Sequence, residues 1–333
     1  MISPKRVTIA LLFALSAAAL SGAAHAENAR VEEAYRLMVD KDYAGARAIV
    51  EPLAEEGVAG AQHMLGYLEQ YGLGGPKELQ HAIDLYYKAA LSGSADAQFA
   101  LGELAFYGDG VKVDYERAAG WYRLAAAQDH PGAEARLGIM HQRGLGTPKD
   151  PRVAVSLFEK AAKAGDLDAQ FYLGTAYVNG EGVKQDYKKA AEWYKLAAEK
   201  GQGDAQYNLS LLYDSDYLGA PDPREAYRWM RAAGDAGLPE AYVALGLMTN
   251  EGRAGPGDKA IDWFELAANA GDAQGMFLFA VALTKGDGRP KDPNLAAVWL
   301  DRALEAADPA DTEFRRNAEA LREEIAEAQR AAR

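Results

Sequence analysis

Ala169-Gln170-Phe171-Tyr172-Leu173-Gly174, followed by Tyr177, Gly180, Gly182, Val183, Asp186, Ala190, Trp193, Tyr194, Ala197, Ala198 and Gly201, is one round of a pattern that runs through most of the chain. The same letters restart at Ala61, Ala97, Ala133, Ala205, Ala241 and Gly275, at steps of 36 residues with a last step of 34. Seven copies at that period mean a solenoid, in which each unit buries its apolar face only against its neighbours.

Each copy reads as a helical hairpin. Its first helix opens at the Ala and carries Ala, Leu-Gly and an aromatic at offsets 0, 4, 5 and 8, which share one face. Glycine inside a helix costs about 1 kcal/mol against alanine. Its return at Gly66, Gly102, Gly138, Gly174 and Gly246 therefore points to close helix–helix approach, with Ser210 and Ala280 standing in for it in copies five and seven. A loop such as Gly180-Glu181-Gly182 ends the helix, since its glycines permit positive φ. It follows no strand and no Lys-Ser/Thr comes after it, so it is not a phosphate loop.

The second helix starts at an aspartate: Asp114, Asp150, Asp186, Asp222 and Asp292. An aspartate there accepts from free N–H groups of the first turn. Pro151, Pro223 and Pro293 follow in the position a helix tolerates. This column of carboxylates is spent on capping and is poorly placed to converge on a metal ion. The helix then carries Trp121, Trp193, Trp229, Trp263 or Trp299, mostly beside a second large side chain, which gives large–small interdigitation against Gly and Ala.

With its A-x-x-x-L-G and W-Y-x-x-A-A blocks, the pattern resembles the Sel-one-like repeat, a relative of the tetratricopeptide repeat, over about residues 61–306. The resemblance implies an all-α, right-handed superhelical solenoid of antiparallel helix pairs with a concave groove. It further implies an adaptor holding protein partners, and for exported bacterial members a place in envelope complexes, polysaccharide export, signalling or host contact. A subgroup linked to β-lactam hydrolysis has a cysteine pair in each repeat; this chain has no cysteine, which leaves a hydrolase of β-lactams or cell-wall peptides as the lesser alternative to the adaptor, behind a polysaccharide- or peptidoglycan-associated scaffold.

The domain plan that follows is residues 1–26 as an export signal, 27–57 as an N-terminal capping helix pair, 58–307 as the seven repeats and 308–333 as a C-terminal capping helix. The signal reading rests on Lys5 and Arg6, an uncharged apolar run from Thr8 to Leu20, and Ala24-His25-Ala26 as a cleavage site. It predicts a periplasmic or secreted protein with no membrane span after cleavage. In the last segment Phe314, Ala318, Leu321, Ile325 and Ala328 form a helical stripe that closes the array, a short dimerising coil being the alternative.

The chain carries a net charge of −13, and the leader holds two basic residues and no acid, so cleavage moves it to −15. That balance disfavours nucleic acid and anionic membranes and suits a partner with a neutral or basic surface. Neither a paired-histidine zinc motif nor a serine-nucleophile motif occurs. The sequence therefore predicts no enzyme, no cofactor and no metal. The candidate groove residues are His63, Phe99, Phe171, Tyr207 and Phe277 at offset 2, Tyr107 and Arg143 at offset 10, and Arg136. On a wheel, offset 2 lies roughly opposite the core positions, where aromatics would serve a protein segment or, as the alternative, a glycan. The other reading of these rings is packing between neighbouring first helices. Residues that break the repeat, such as His141, Asp214 and Asp216, would tune the charge of such a groove.

Overall fold

Local signals at the ends of each helix set the architecture. The computed structural model describes residues 22–255 and 257–331, with side chains from residue 27 onward. The expected signal segment lies outside the described residues up to residue 21. Among the described residues there are seventeen α-helices and no strand.

The helices follow one another as hairpins. They are α1 (Gly22–Val39) with α2 (Tyr43–Glu55), α3 (Ala59–Tyr71) with α4 (Leu79–Leu91), α5 (Ala95–Tyr107) with α6 (Tyr115–Ala126), and α7 (Pro131–Arg143) with α8 (Pro151–Lys163). Next come α9 (Leu167–Asn179) with α10 (Tyr187–Ala198), α11 (Gly203–Asp214) with α12 (Pro223–Asp235), α13 (Pro239–Asn250) with α14 (Ala260–Asn269), and α15 (Ala273–Lys285) with α16 (Pro293–Ala306). A last helix, α17 (Thr312–Ala331), closes the series. The chain divides into two compact units, the first ending at Ala133 and the second beginning at Glu134. None of these helices is long and apolar enough to cross a membrane.

Every predicted aspartate cap is made. Asp114, Asp150, Asp186, Asp222 and Asp292 each accept from backbone N–H groups two or three residues on. Asp186→Ala is expected to remove about 1 kcal/mol. The loss should appear as faster hydrogen exchange in the first turn of α10.

The first helices begin two residues before the alanines expected to open them. In five copies a second set of caps lies three residues ahead of that position, while Val58 and Leu238 hold the same place in copies one and six without a side-chain bond. Ser94 accepts from the Ala97 N–H at 3.2 Å, Asp166 from Ala169 at 2.7 Å and Asp272 from Gly275 at 2.6 Å. Gln202 does the same for Ala205. In copy three the acceptor is the His130 ring, whose Nδ1 takes the Ala133 N–H at 3.1 Å. The alanine is the first buried residue of its helix, not the first helical one.

The two loop glycines have separate jobs. Gly180, at φ 70°, closes α9 in the left-handed conformation. Gly182 lies so close to the Pro151 carbonyl at the start of α8 that no side chain fits. Copy five, which lacks the first glycine, ends α11 with Ser215 in an extended conformation. In the shortened copy six, Asp258 accepts from the Tyr227 hydroxyl at 2.7 Å and from Arg231 Nη1 at 2.8 Å.

At the amino end Val31, Ala34 and Met38 of α1 share a core with Val50, Leu53, Leu65 and Leu68. At the carboxyl end Ala318, Leu321 and Ile325 of α17 are buried with Phe279, Leu283 and Leu300. The stripe on α17 is thus covered by the chain's own α15 and α16.

Candidate functional site

The mid-helix glycines explain where the candidate groove residues lie. A Cβ on Gly66 would sit 2.8 Å from the Tyr86 ring, on Gly138 2.5 Å from Phe158, and on Gly174 2.6 Å from Tyr194. Gly102 meets Tyr122, and Gly246 meets Phe264, more closely still. The partner ring shrinks where the glycine is replaced: Ser210 is twenty residues from Met230, and Ala280 twenty from Leu300. Ser210 also donates to the Ala226 carbonyl at 2.6 Å, a direct measure of how near the two helices run. The tryptophans stand beside these rings. Trp229 and Trp263 are buried, while Trp121, Trp193 and Trp299 are half-buried.

With no side chain on the glycine, each ring crosses it and reaches offset 2. His63 lies 5.7 Å from Tyr86, Phe99 5.8 Å from Tyr122 and Phe171 5.8 Å from Tyr194. Phe277 lies 5.5 Å from Phe314, and Tyr207 packs beside the Met230 core. All five are half-buried. The expectation that they turn away from the core is therefore corrected. At about 100° per residue, offset 2 is only about 60° from the glycine at offset 5, and that flank is covered.

The candidates that reach solvent are Tyr107, which is 60% exposed, and Arg143. Tyr71, at the same offset, is 54% exposed. Arg136 lies half-buried, 3.7 Å from Asp168. His141 meets the Pro148 carbonyl at 3.1 Å. Asp214 is tied to Arg253, while Asp216 is exposed.

In the first unit His63, Asp96, Phe99 and His130 form one cluster. His130 Nε2 lies 3.3 Å from Asp96 Oδ1, and its ring stacks on Phe99 at 4.7 Å. Since Nδ1 accepts the Ala133 N–H, the ring proton sits on Nε2, toward Asp96. Burial pushes the Asp96 carboxyl up, but the His130 hydrogen bond and the nearby imidazoles more than reverse this and leave it below its usual range. Burial also lowers His63 from its ordinary 6.5, against the pull of Asp96. A base held below its unfolded value contributes stability in full above 6.5 and loses it as pH falls through the window down to the folded value. His63→Phe, with the residue of copies two and four, should flatten the stability curve in that window. Urea unfolding at stepped pH measures it.

Other buried polar groups recur without being conspicuous in the pattern. Gln62, Gln98, Gln170 and Gln206, at offset 1, each donate Nε2 to a carbonyl of the preceding helix: Ala54, Ala90, Ala162 and Ala198, at 3.0–3.2 Å. The signal was an Ala-Gln pair in four copies. Copy three has Glu134 there, 3% exposed and 3.7 Å from Lys160 Nζ. Glu69, 2% exposed, accepts from Arg47 Nη2 at 3.1 Å and faces His81 Nδ1 at 2.7 Å. With Glu78 it forms the cluster of metal-ligand type found among the described residues. The Arg47 guanidinium already supplies the positive charge that Glu69 needs.

A series of helical hairpins, five of them closed internally by a ring laid over a glycine, defines a helical-repeat scaffold. The Sel1 repeat model matches residues 59–94, 95–130, 131–166, 167–202, 203–238, 239–272 and 273–308, and the chain belongs to the Sel1 repeat family. A Sel1 repeat protein from Oxalobacter formigenes is similar over 82% of this chain and 96% of its own, at 29% identity and a TM-score of 0.55. The protein c5321, a protective antigen of uropathogenic Escherichia coli, is 28% identical over 85% of this chain and 70% of its own, with a TM-score of 0.47. No curated protein sequence matches the chain. Proteins of this repeat generally serve as protein-interaction scaffolds and bind protein partners.

Proposed function

We propose that this protein is an exported, non-enzymatic adaptor that holds a protein partner in an envelope complex or signalling pathway. One observation carries the reading: a constant frame presents a changing face. The recurring residues are spent on the frame, as caps, as glycine–ring contacts and as glutamine bridges. Offset 10 reads Tyr71, Tyr107, Arg143, Asn179, Ser215, Glu251 and Lys285, and all but Ser215 are exposed. Stacking demands no particular residue there, so the position is free to differ from copy to copy. Export is supported by the basic start, the apolar run and the A-x-A site.

The test is crosslinking in intact cells, followed by affinity capture, mass spectrometry and N-terminal sequencing. A stoichiometric protein partner, on a mature chain beginning at Glu27 in the periplasmic or secreted fraction, is the expected result. Recovery of cell-wall glycan without protein, or turnover of a β-lactam by the pure chain, would overturn it.

A further inference from the structure

The first helices of copies one and two, α3 and α5, have a composition that selects a ligand. Neither α3 nor α5 contains a lysine or arginine, whereas α4 carries Lys88 and α6 carries Arg117 and Arg123. Two tyrosines stand out at the ends of these helices, each braced by a second ring, with Lys77 and Lys112 in the loops that follow. Tyr71 is 4.8 Å from Tyr67, and Tyr107 is 5.0 Å from Phe106. Two carboxylates are held among them. Gln70 on α3 donates to Asp109 Oδ2 at 3.1 Å, joining α3 to the loop after α5. The Tyr122 hydroxyl donates to Glu103 Oε1 at 2.5 Å. Burial, and then the charges of Asp109 and Glu103, push the Tyr71 hydroxyl up, which places the ring and both acids in one electrostatic neighbourhood.

We infer that this face, with Tyr71 and Tyr107 as its rings and Glu103 and Asp109 as its counter-charges, takes a lysine- or arginine-bearing segment of the partner protein. The inference rests on the adaptor reading and specifies the partner's chemistry. Phenol faces attract cations through the ring quadrupole. Carboxylates beside them add charge attraction and hydrogen-bond acceptors. Arginine suits such a surface best, because its planar head stacks on a ring while its N–H groups reach a carboxylate. An acidic segment would meet two carboxylates with no compensating base on α3 or α5. A purely apolar segment would have to strip water from both acids. Fixed rings lose little freedom on binding, so the face is organised in advance.

The experiment is selection of a random 12-residue phage-displayed peptide library on the full mature chain. Binding of the selected peptides, fluorescein-labelled, is then measured on wild type, Tyr71→Ala/Tyr107→Ala, Asp109→Asn and, as a surface control, Asp204→Asn. Enrichment in Lys and Arg is expected. Affinity should fall about tenfold or more in the double tyrosine variant and on replacing peptide Arg by neutral citrulline, fall less in Asp109→Asn, and stay unchanged in Asp204→Asn. Circular dichroism checks that the exposed-site variants keep their helices. Selected peptides without basic enrichment, or basic peptides indifferent to the tyrosine pair, would overturn this surface and leave the adaptor reading standing. A library that yields no binder at all would count against both.

Discussion

Phe158→Ala is expected to cost about 3–5 kcal/mol, the range for removing a fully buried phenylalanine. Phe158 is 1% exposed, stacks on Tyr172 at 5.4 Å and covers Gly138. The converse change tests the same contact. A Cβ on Gly138 would lie 2.5 Å from the ring, so Gly138→Ala overpacks the seam. The cost is about 1–3 kcal/mol, less up to about 1 kcal/mol of regained helix propensity. The chain itself shows the compensation, since Ala280 is matched with Leu300 and Ser210 with Met230. Gly138→Ala together with Phe158→Leu should therefore be more stable than the two single losses added together, by about 1 kcal/mol or more. Urea unfolding followed by circular dichroism gives the totals. Hydrogen exchange over α7 and α8 shows whether the loss is local, as expected where a repeat contacts only its neighbours. Simple additivity of the two changes would sink the glycine–ring account.

Most of the hairpin series was legible because its signals are short-range. Asp186 caps the residues that follow it, and Pro223 and Pro293 sit at first helical positions. Gly174 reads as a close approach because nothing else repays a glycine in mid-helix. What was misread depends on the neighbouring helix. The wheel set offset 2 against the core, but the core there includes a ring lent by the second helix across an empty glycine, so Phe99 and Phe171 are half-buried. The starts of the first helices were placed late because the cap varies through Ser94, His130, Asp166, Gln202 and Asp272, and a histidine acceptor does not look like a cap. Gln170 and its counterparts bond eight residues back, across a turn, which no single-helix pattern displays. Of the candidate site, Tyr107 and Arg143 are exposed. The acid–tyrosine face needed the link from Gln70 to Asp109, 39 residues apart.

The second large effect belongs to a group wholly invisible in the repeat. Arg47→Ala is expected to cost about 3–5 kcal/mol, because it leaves a buried carboxylate without its main charge partner. Arg47 and Glu69 are 22 residues apart, on α2 and α3, with Arg47 Nη2 at 3.1 Å from a side chain that is 2% exposed. His81 remains 2.7 Å from the other oxygen, but its side chain is half-exposed, so solvent screens what it contributes. Glu51, 3.5 Å from the same guanidinium, is also half-exposed and loses little. Glu69→Gln removes the charge that needs compensation, so adding it to Arg47→Met should recover at least half of the single-variant loss. Because Glu69 lies two residues before Tyr71 on α3, the damage should be concentrated in α2, α3 and α4, as read by hydrogen exchange. A loss below about 1 kcal/mol for Arg47→Ala, in the range of an exposed pair, would mean that water reaches Glu69 and that the guanidinium is not what holds this carboxylate in the core.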